Sequence, residues 1–158
     1  TEDYQTFKAA LHEINEYLAK QIAGDGEGAT ALFEVKVKGA ESVEAAKVLA
    51  KSIACSNLTK TAIAGHDANW GRIVCAMGYS GAQFDPEKVD LFFKSKAGKI
   101  QIAEDGVALD FSEEKATEIL SQPEVTAIAD VKMGDAEATA WGCDLTHGYI
   151  EINADYRS

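Results

Sequence analysis

The stretch from Gly24 to Thr30, GDGEGAT, is the first place where this sequence could hold a ligand, because three glycines alternate there with two carboxylates. Glycines let backbone N–H groups approach a bound group closely, as they do in phosphate-binding loops. The charges of Asp25 and Glu27 repel phosphate, however, and the Gly-Lys-Ser/Thr ending of a P-loop does not follow. A loop of this sign suits an ammonium group or a metal ion, and a solvated turn is the alternative.

A second group of polar residues lies between Lys60 and Ile73, KTAIAGHDANWGRI, a segment that we expect to connect a strand to a helix. Connections of this kind are common places for binding residues. Asp67 and Asn69 could instead cap the following helix while Trp70 fills an apolar gap, and the sequence leaves both alternatives open. Arg72 is one of only two arginines in the chain, and a guanidinium binds a carboxylate in a paired geometry that lysine matches badly.

The third group closes the chain with WGCDLTHGYIEINADYRS, from Trp141 to Ser158. Apolar residues continue as far as Tyr156, so we expect a docked terminus and not the polar, frayed tail of most domains. Docking would let Asn153, Arg157 and Ser158 serve a site or an interface. Simple packing of a last helix is the alternative.

Spacing alone pairs no nucleophile with a base. No GxSxG elbow occurs, and Cys55, Cys75 and Cys143 are expected to be buried, inert thiols. The three histidines lack ligand spacing with one another or with the cysteines, so no zinc site is expected. Thr1 could use its own α-amine as a base, but it opens a polar segment, and we assign it no catalytic role.

Composition narrows the classes of partner. The chain has 158 residues, of which 46% are hydrophobic, enough to fold around a core of its own. Twenty-six acidic residues against fifteen basic ones give a net charge of −11, which disfavours nucleic acid and anionic membranes as partners. No apolar run approaches the roughly 20 residues of a membrane span, and the first residues lack the features of a signal peptide. We therefore expect a cytoplasmic protein.

The elements that must position these groups follow from periodicity. Apolar residues at spacings of three and four predict a helix from Thr6 to Ile22 that ends at Gly24, and alternation predicts a strand at 33–37. Ser42 is placed to cap a helix that runs to about Cys55. The other predicted elements are a strand at 60–64, a helix at 69–77, strands at 89–93 and 99–102, a helix at 112–120, a strand at 125–133, and a helix, with a strand as the alternative, at 145–156.

Helices and strands in this irregular order predict an α+β fold whose mixed sheet carries its helices mainly on one face. We expect residues 1–30 to be the end of a preceding catalytic domain together with the acidic glycine loop, and residues 31–158 to form a C-terminal α+β domain. The loop would then lie at a junction, where ligand sites often form.

The three stretches together resemble one family. DGEGAT, then KTAIAGHDANWGRI followed by YSGAQFDP, then AWGCDLTHGYIEINADYRS, have the order and spacing of the ornithine acetyltransferase family, also called glutamate N-acetyltransferase, of arginine biosynthesis. The resemblance covers essentially the whole chain and matches the C-terminal part of the family's β chain. It implies a self-cleaving acyltransferase fold, in which a precursor cuts itself before a threonine that becomes the nucleophile.

The resemblance also implies where the chemistry lies. The family's nucleophile and oxyanion-hole residues lie upstream of this chain, and Thr1 is too close to the acidic loop to be that nucleophile, so the isolated chain is expected to be inactive. The family's substrate-contacting glutamate matches Glu27, its asparagine near the end matches Asn153, and its terminal hydroxyl residue matches Ser158. Glu27 would then face the α-ammonium of ornithine or glutamate. Ala31 stands where relatives commonly have a lysine, which puts any role of that lysine in doubt.

The implied activity is transfer of acetyl from N-acetylornithine to glutamate through an acetyl-threonine intermediate. The implied partners are the α chain and the upstream β-chain segment of the same precursor, in a hetero-oligomer. The resemblance implies no cofactor and no metal, and it leaves acetyl-CoA open as an additional donor substrate. Two rivals stay open: an aminopeptidase or amidase on a related fold, with water as the acyl acceptor, and a non-catalytic module that kept the fold for assembly.

Overall fold

The computed structural model of the chain describes residues 1–155, which form six helices and one six-stranded sheet. The helices are α1 (Glu2–Gly24), α2 (Val43–Cys55), α3 (Asn57–Ala64), α4 (Trp70–Gly78), α5 (Glu113–Leu120) and α6 (His147–Asp155). The strands are β1 (Leu32–Ala40), β2 (Asp90–Ser95), β3 (Gly98–Glu104), β4 (Val107–Ala108), β5 (Glu124–Asp130) and β6 (Ala136–Cys143). A short 3₁₀ turn, Pro86–Lys88, precedes β2.

The sheet is mixed, as its predicted class requires. Its strand order is β4-β3-β2-β5-β1-β6, and only the interior pair of β5 and β1 is parallel. In β1, Phe33, Val35 and Val37 are fully buried, whereas the intervening Glu34 and Lys36 point to the opposite face. One face of the sheet is therefore apolar and the other is polar.

The core lies between the apolar face of the sheet and the helices. Helix α2 packs against β1 and β6, α5 packs against β2 and β3, and α3 and α4 pack against α2. Capping residues begin these helices: the Ser42 side chain accepts from Ala45 N, and the Ser112 side chain accepts from Lys115 N. The α+β fold with helices mainly on one face is confirmed. The largest fully buried side chains are Phe33, Phe93, Leu49, Ile53, Ile63, Ile73, Met77, Leu91, Ile102, Ile119, Leu120 and Val35.

Helix α1 has no buried residue and touches the rest of the described chain chiefly near its end, at β1 and β6. Lys20 Nζ lies 2.8 Å from Glu16 Oε1 and 3.8 Å from Glu34 Oε2, and it sits 5.5 Å from the centre of the Trp141 ring. The hydrogen bond to Glu16 raises the pKa of Lys20.

The apolar stripe whose spacing predicted this helix is exposed. The exposed fractions of its side chains are Phe7 65%, Leu11 44%, Ile14 55%, Leu18 49% and Ile22 78%. A domain boundary at residue 30 stays a prediction.

Three expectations about elements and burial were wrong. The strand predicted at 60–64 is helix α3, because Ser56 caps it by accepting from Thr59 N at 3.3 Å, and Thr59, Ala62 and Ile63 are buried on one helical face. Strands β4 and β6 were not predicted at all. The cysteines are not buried thiols either: Cys55 and Cys75 are exposed and Cys143 is half-buried.

Two further observations concern only residues 1–155. No helix in this range is long and apolar enough to cross a membrane. Within the same range, no group of three or more His, Cys, Asp or Glu side chains could hold a metal ion.

Candidate functional site

Glu27 and Asn153, which lie 126 positions apart in the sequence, meet at the surface. Asn153 Nδ2 donates to Glu27 Oε2 at 2.7 Å and to the carbonyl of Tyr149 at 2.9 Å. Both residues are exposed, so a ligand can reach them. The fold therefore brings two of the three predicted site residues together. Ser158 lies outside the described residues, as does Arg157.

The acidic glycine loop turns tightly after α1. Ala29 N donates to Gly26 O at 2.9 Å, and Gly28 adopts a φ of +69°, a conformation that glycine adopts without strain. A Cβ on Gly28 would lie 2.6 Å from both Gly148 C and Tyr149 N. The loop thus approaches the start of α6 too closely for any side chain at position 28.

Asp144 is buried, with 2% of its surface exposed, and its carboxylate holds the far end of the loop. Its Oδ1 accepts from Thr30 N at 2.8 Å and Ala31 N at 3.1 Å, and its Oδ2 accepts from Thr30 Oγ1 at 2.5 Å. The Asp144 backbone N–H also donates to Ala31 O at 3.1 Å. Ala31 is therefore fixed through its backbone.

Two side chains of the C-terminal segment are hydrogen-bonded to the loop, and each of these links is called a tie. Asp144 makes the first tie and Thr146 makes the second. Its Oγ1 donates to the carbonyl of Gly28 at 2.6 Å and accepts from Gly148 N at 3.1 Å. Neither Asp144 nor Thr146 was predicted to contact the loop. The only signal for them in the sequence was their place in the terminal motif.

In the segment from Lys60 to Ile73, the contacts show that Asn69 caps the following helix. Asn69 Oδ1 accepts from Arg72 N at 3.0 Å, and Asn69 Nδ2 donates to Asp67 Oδ2 at 3.0 Å. The Arg72 guanidinium donates to Leu58 O at 2.9 Å and to Thr61 Oγ1 at 3.3 Å. Asn69 is a helix cap, and the partners of Arg72 are a backbone carbonyl and a hydroxyl, not a carboxylate.

The terminal stretch borders both of the other polar stretches. Leu145 N donates to the carbonyl of Lys60 at 3.2 Å, which joins α3 to the segment before α6. A cavity of about 360 Å³ lies at this junction, lined by Thr61, Ala64, Gly65, Leu145, Thr146, His147 and Ile150. A larger cavity of about 700 Å³ lies between the end of α1, the loop and the starts of β1 and β5.

The two segments that meet at Glu27, the loop and helix α6, carry acidic side chains. The loop carries Asp25 and Glu27, helix α6 carries Glu151 and Asp155, and neither segment contains a lysine or arginine. A negative surface of this kind attracts cations and repels anions. The arrangement suits an ammonium group, with the Glu27 carboxylate as acceptor and the neighbouring Asn153 amide as a second polar group.

Comparisons with known proteins agree with one another. The ArgJ family matches residues 1–158. Over 158 residues the chain is 52% identical to the arginine biosynthesis bifunctional protein ArgJ of Thermotoga neapolitana, a match that covers 100% of this chain and 40% of that protein. It is also 52% identical over 156 residues to ArgJ 1 of Clostridium acetobutylicum, covering 99% of this chain and 38% of that protein.

A solved structure agrees as well. The crystal structure of the arginine biosynthesis bifunctional protein ArgJ from Bacillus halodurans superimposes with a TM-score of 0.92 at 45% identity, covering 99% of this chain and 72% of that chain. The chain thus spans about 40% of the length of the curated relatives that it matches.

Proposed function

The chain belongs to the ArgJ family, and from this premise we propose that it forms part of an enzyme of arginine biosynthesis that transfers acetyl from N-acetylornithine to glutamate. The observation that carries the proposal is the 2.7 Å contact between Glu27 and Asn153 on an acidic surface. Relatives named as bifunctional arginine biosynthesis proteins support the pathway.

In this proposal Glu27 and Asn153 bind the amino acid and do not perform the chemistry. The Glu27 carboxylate accepts hydrogen bonds from the substrate ammonium, and such charge-assisted bonds are stronger than neutral ones. Asn153 already donates to Glu27 and Tyr149 through Nδ2, so its Oδ1 is the atom that faces a further donor. Ser158 is proposed as a third binding residue, as the family resemblance implies.

The reacting threonine and the oxyanion donors are proposed to lie in the part of the ArgJ polypeptide outside this chain. Acyl transfer needs a positioned nucleophile and donors for the developing oxyanion, so the isolated chain should be inactive. We propose that the precursor cleaves itself before that threonine and that the two products remain associated, in the cytoplasm, as a hetero-oligomer without a cofactor. Replacing N-acetylornithine by acetyl-CoA in the assay tests whether acetyl-CoA is also a donor.

The apolar stripe of α1 supports this assembly. Phe7, Leu11, Ile14, Leu18 and Ile22 are between 44% and 78% exposed, although their spacing is that of a helix face meant for burial. A contiguous exposed apolar surface commonly marks an interface. We propose that the part of the ArgJ polypeptide outside this chain covers the stripe.

The test is Glu27→Gln in the complete enzyme, meaning the full-length ArgJ polypeptide that carries this sequence. Gln keeps the shape and removes the charge, and a hydrogen bond to a charged partner is worth roughly 1.5 to 3 kcal/mol. We expect kcat/KM for glutamate, and for ornithine assayed in the reverse direction, to fall by about 10- to 150-fold. Most of the loss should appear in KM, because the contact exists in both the ground and transition states. Self-cleavage should continue.

A matched control is Glu151→Gln, which removes the same charge from the exposed surface of α6. It should change KM much less. Wild-type KM for both amino acids in Glu27→Gln would rule Glu27 out as the ammonium partner. Release of acetate that does not depend on glutamate would favour the amidase alternative, and absence of any acetyl chemistry in the complete enzyme would favour the assembly module.

A further inference from the structure

We infer that Asp144 and Thr146 are positioning residues for Glu27, holding the acidic loop in the register at which its carboxylate meets Asn153. The inference rests on the proposed function, in which Glu27 binds the substrate ammonium. Neither residue touches the substrate in this account. Both act through the loop.

Asp144 is the only ionisable side chain that is buried among residues 1–155, where Ser56 and Thr59 are the other buried polar residues. Burying a carboxylate is costly unless its oxygens accept hydrogen bonds. Here both oxygens are used, and all three donors belong to Thr30, the last residue of the loop, and to Ala31 directly after it. The backbone bond from Asp144 N to Ala31 O already joins these two segments, so the carboxylate supplies a second, directional constraint on the end of the loop.

Thr146 acts closer to Glu27 than Asp144 does. Its hydroxyl donates to the carbonyl of Gly28, the residue next to Glu27, and accepts from Gly148 N in the first turn of α6. One side chain therefore fixes both the loop and the start of the helix that carries Asn153. A hydroxyl that bonds its own backbone two residues on is a common helix-initiating arrangement, but the bond to Gly28 has no such local purpose.

The two ties lie close to Glu27, both on its C-terminal side. Gly28 and Thr30 are one and three positions after it, and both are bonded to side chains of the segment that leads into α6. The Glu27–Asn153 distance of 2.7 Å lies at the short end of the range for a hydrogen bond and cannot lengthen by 1 Å without losing the bond. Loosening either tie should therefore separate the two site residues.

The first arm of the test measures kinetics in the complete enzyme. Asp144→Ala, which removes both acceptor oxygens, and Thr146→Val should each raise KM for the amino-acid substrates by roughly 10- to 100-fold, the upper end being what a displacement of about 1 Å can cost, and kcat should change less. Thr146→Ser keeps the hydroxyl and should keep the wild-type KM. If Asp144→Ala does not fold, the Thr146 pair still decides the outcome.

A matched control separates positioning from lost stability. Ser52 Oγ donates to the carbonyl of Ala76 at 2.6 Å, between α2 and α4, the same kind and length of bond that Thr146 makes to Gly28. Ser52→Ala should lower the melting temperature without raising KM. An equal rise of KM in Ser52→Ala and Thr146→Val would overturn the inference.

The second arm combines variants. If Thr146 acts through Glu27, Thr146→Val should raise KM in the wild-type background and have little further effect in Glu27→Gln. Additive effects would overturn the inference and leave the role of Glu27 intact. An unchanged KM in Glu27→Gln alone would instead overturn the proposed role of Glu27 in binding.

The third arm does not depend on catalysis. Amide hydrogen exchange of residues 24–31 should be faster in Thr146→Val than in Thr146→Ser, because the loop loses a tie. Unchanged protection would overturn the positioning role whatever the kinetics show. Faster exchange combined with an unaffected Glu27→Gln enzyme would confirm that the loop is held by Thr146 and refute only the substrate contact.

Discussion

Gly28 is the position at which the site tolerates least change, and Gly28→Ala should damage both stability and substrate binding. The residue has a φ of +69°, and an added Cβ would lie 2.6 Å from Gly148 C and from Tyr149 N. Carbon atoms in contact prefer about 3.5 to 4.0 Å, so the loop and the start of α6 must move apart by about 1 Å. This movement should displace Glu27, which is adjacent to Gly28, and Asn153, which lies four residues after Tyr149 in α6.

The magnitude has three parts. Left-handed backbone costs an L-residue about 1 to 2 kcal/mol, and loss of unfolded-chain entropy on replacing glycine returns about 0.4 to 1 kcal/mol. The steric overlap adds about 1 to 3 kcal/mol, the usual cost of overpacking. We expect Gly28→Ala to lower the free energy of unfolding by about 1 to 5 kcal/mol in total.

Gly81 provides the matched control. It also has a positive φ, +87°, but an added Cβ would meet no atom within 4 Å. Gly81→Ala therefore carries the backbone cost without the overlap. The difference between the two variants isolates the contact with α6, and for a chain of this size it should amount to about 2 to 12 °C in melting temperature.

The assay is thermal unfolding of the 158-residue chain for both variants, followed by KM measurements in the complete enzyme. Gly28→Ala should melt well below Gly81→Ala and should raise KM, while Gly81→Ala keeps the wild-type KM. Equal melting temperatures for the two variants would refute the reasoning, because they would mean that the loop does not press against α6. A low melting temperature with wild-type KM would refute the link from this contact to Glu27.

Two further predictions concern residues outside the loop. Arg72→Met removes the bonds to Leu58 O and Thr61 Oγ1 and should lower the free energy of unfolding by about 1 kcal/mol while leaving KM unchanged; a raised KM with unchanged stability would restore a binding role for Arg72. Replacing both Phe7 and Ile14 by Gln should reduce copurification with the α chain without lowering the melting temperature of the 158-residue chain, since neither side chain is buried there. Unchanged copurification would argue that another surface makes the assembly contact.

The sequence indicated most elements because their signals are local. Apolar spacing placed α1, and Ser42, Asn69 and Ser112 were recognisable as cap residues before α2, α4 and α5. Strand β6 was not predicted from the sequence because its core-facing residues include Ala138 and Ala140, whose small side chains give a weak hydrophobic pattern. Helix α3 was mistaken for a strand because a segment as short as 60–64 does not separate a period of two from one of three or four.

The sequence by itself determined the family, the α+β class and the presence of a glycine-rich acidic loop, because each of these is recorded in residue types at fixed spacing. Only the tertiary structure decided that Glu27 meets Asn153, that the Asp144 carboxylate is buried against Thr30 and Ala31, and that the apolar stripe of α1 is exposed. The first two of these facts depend on the pairing of β1 with β6, which carries the loop before β1 to the segment after β6. Periodicity describes which way a side chain points from its own element, but the partner it meets across more than a hundred residues is set by how strands pair and helices pack.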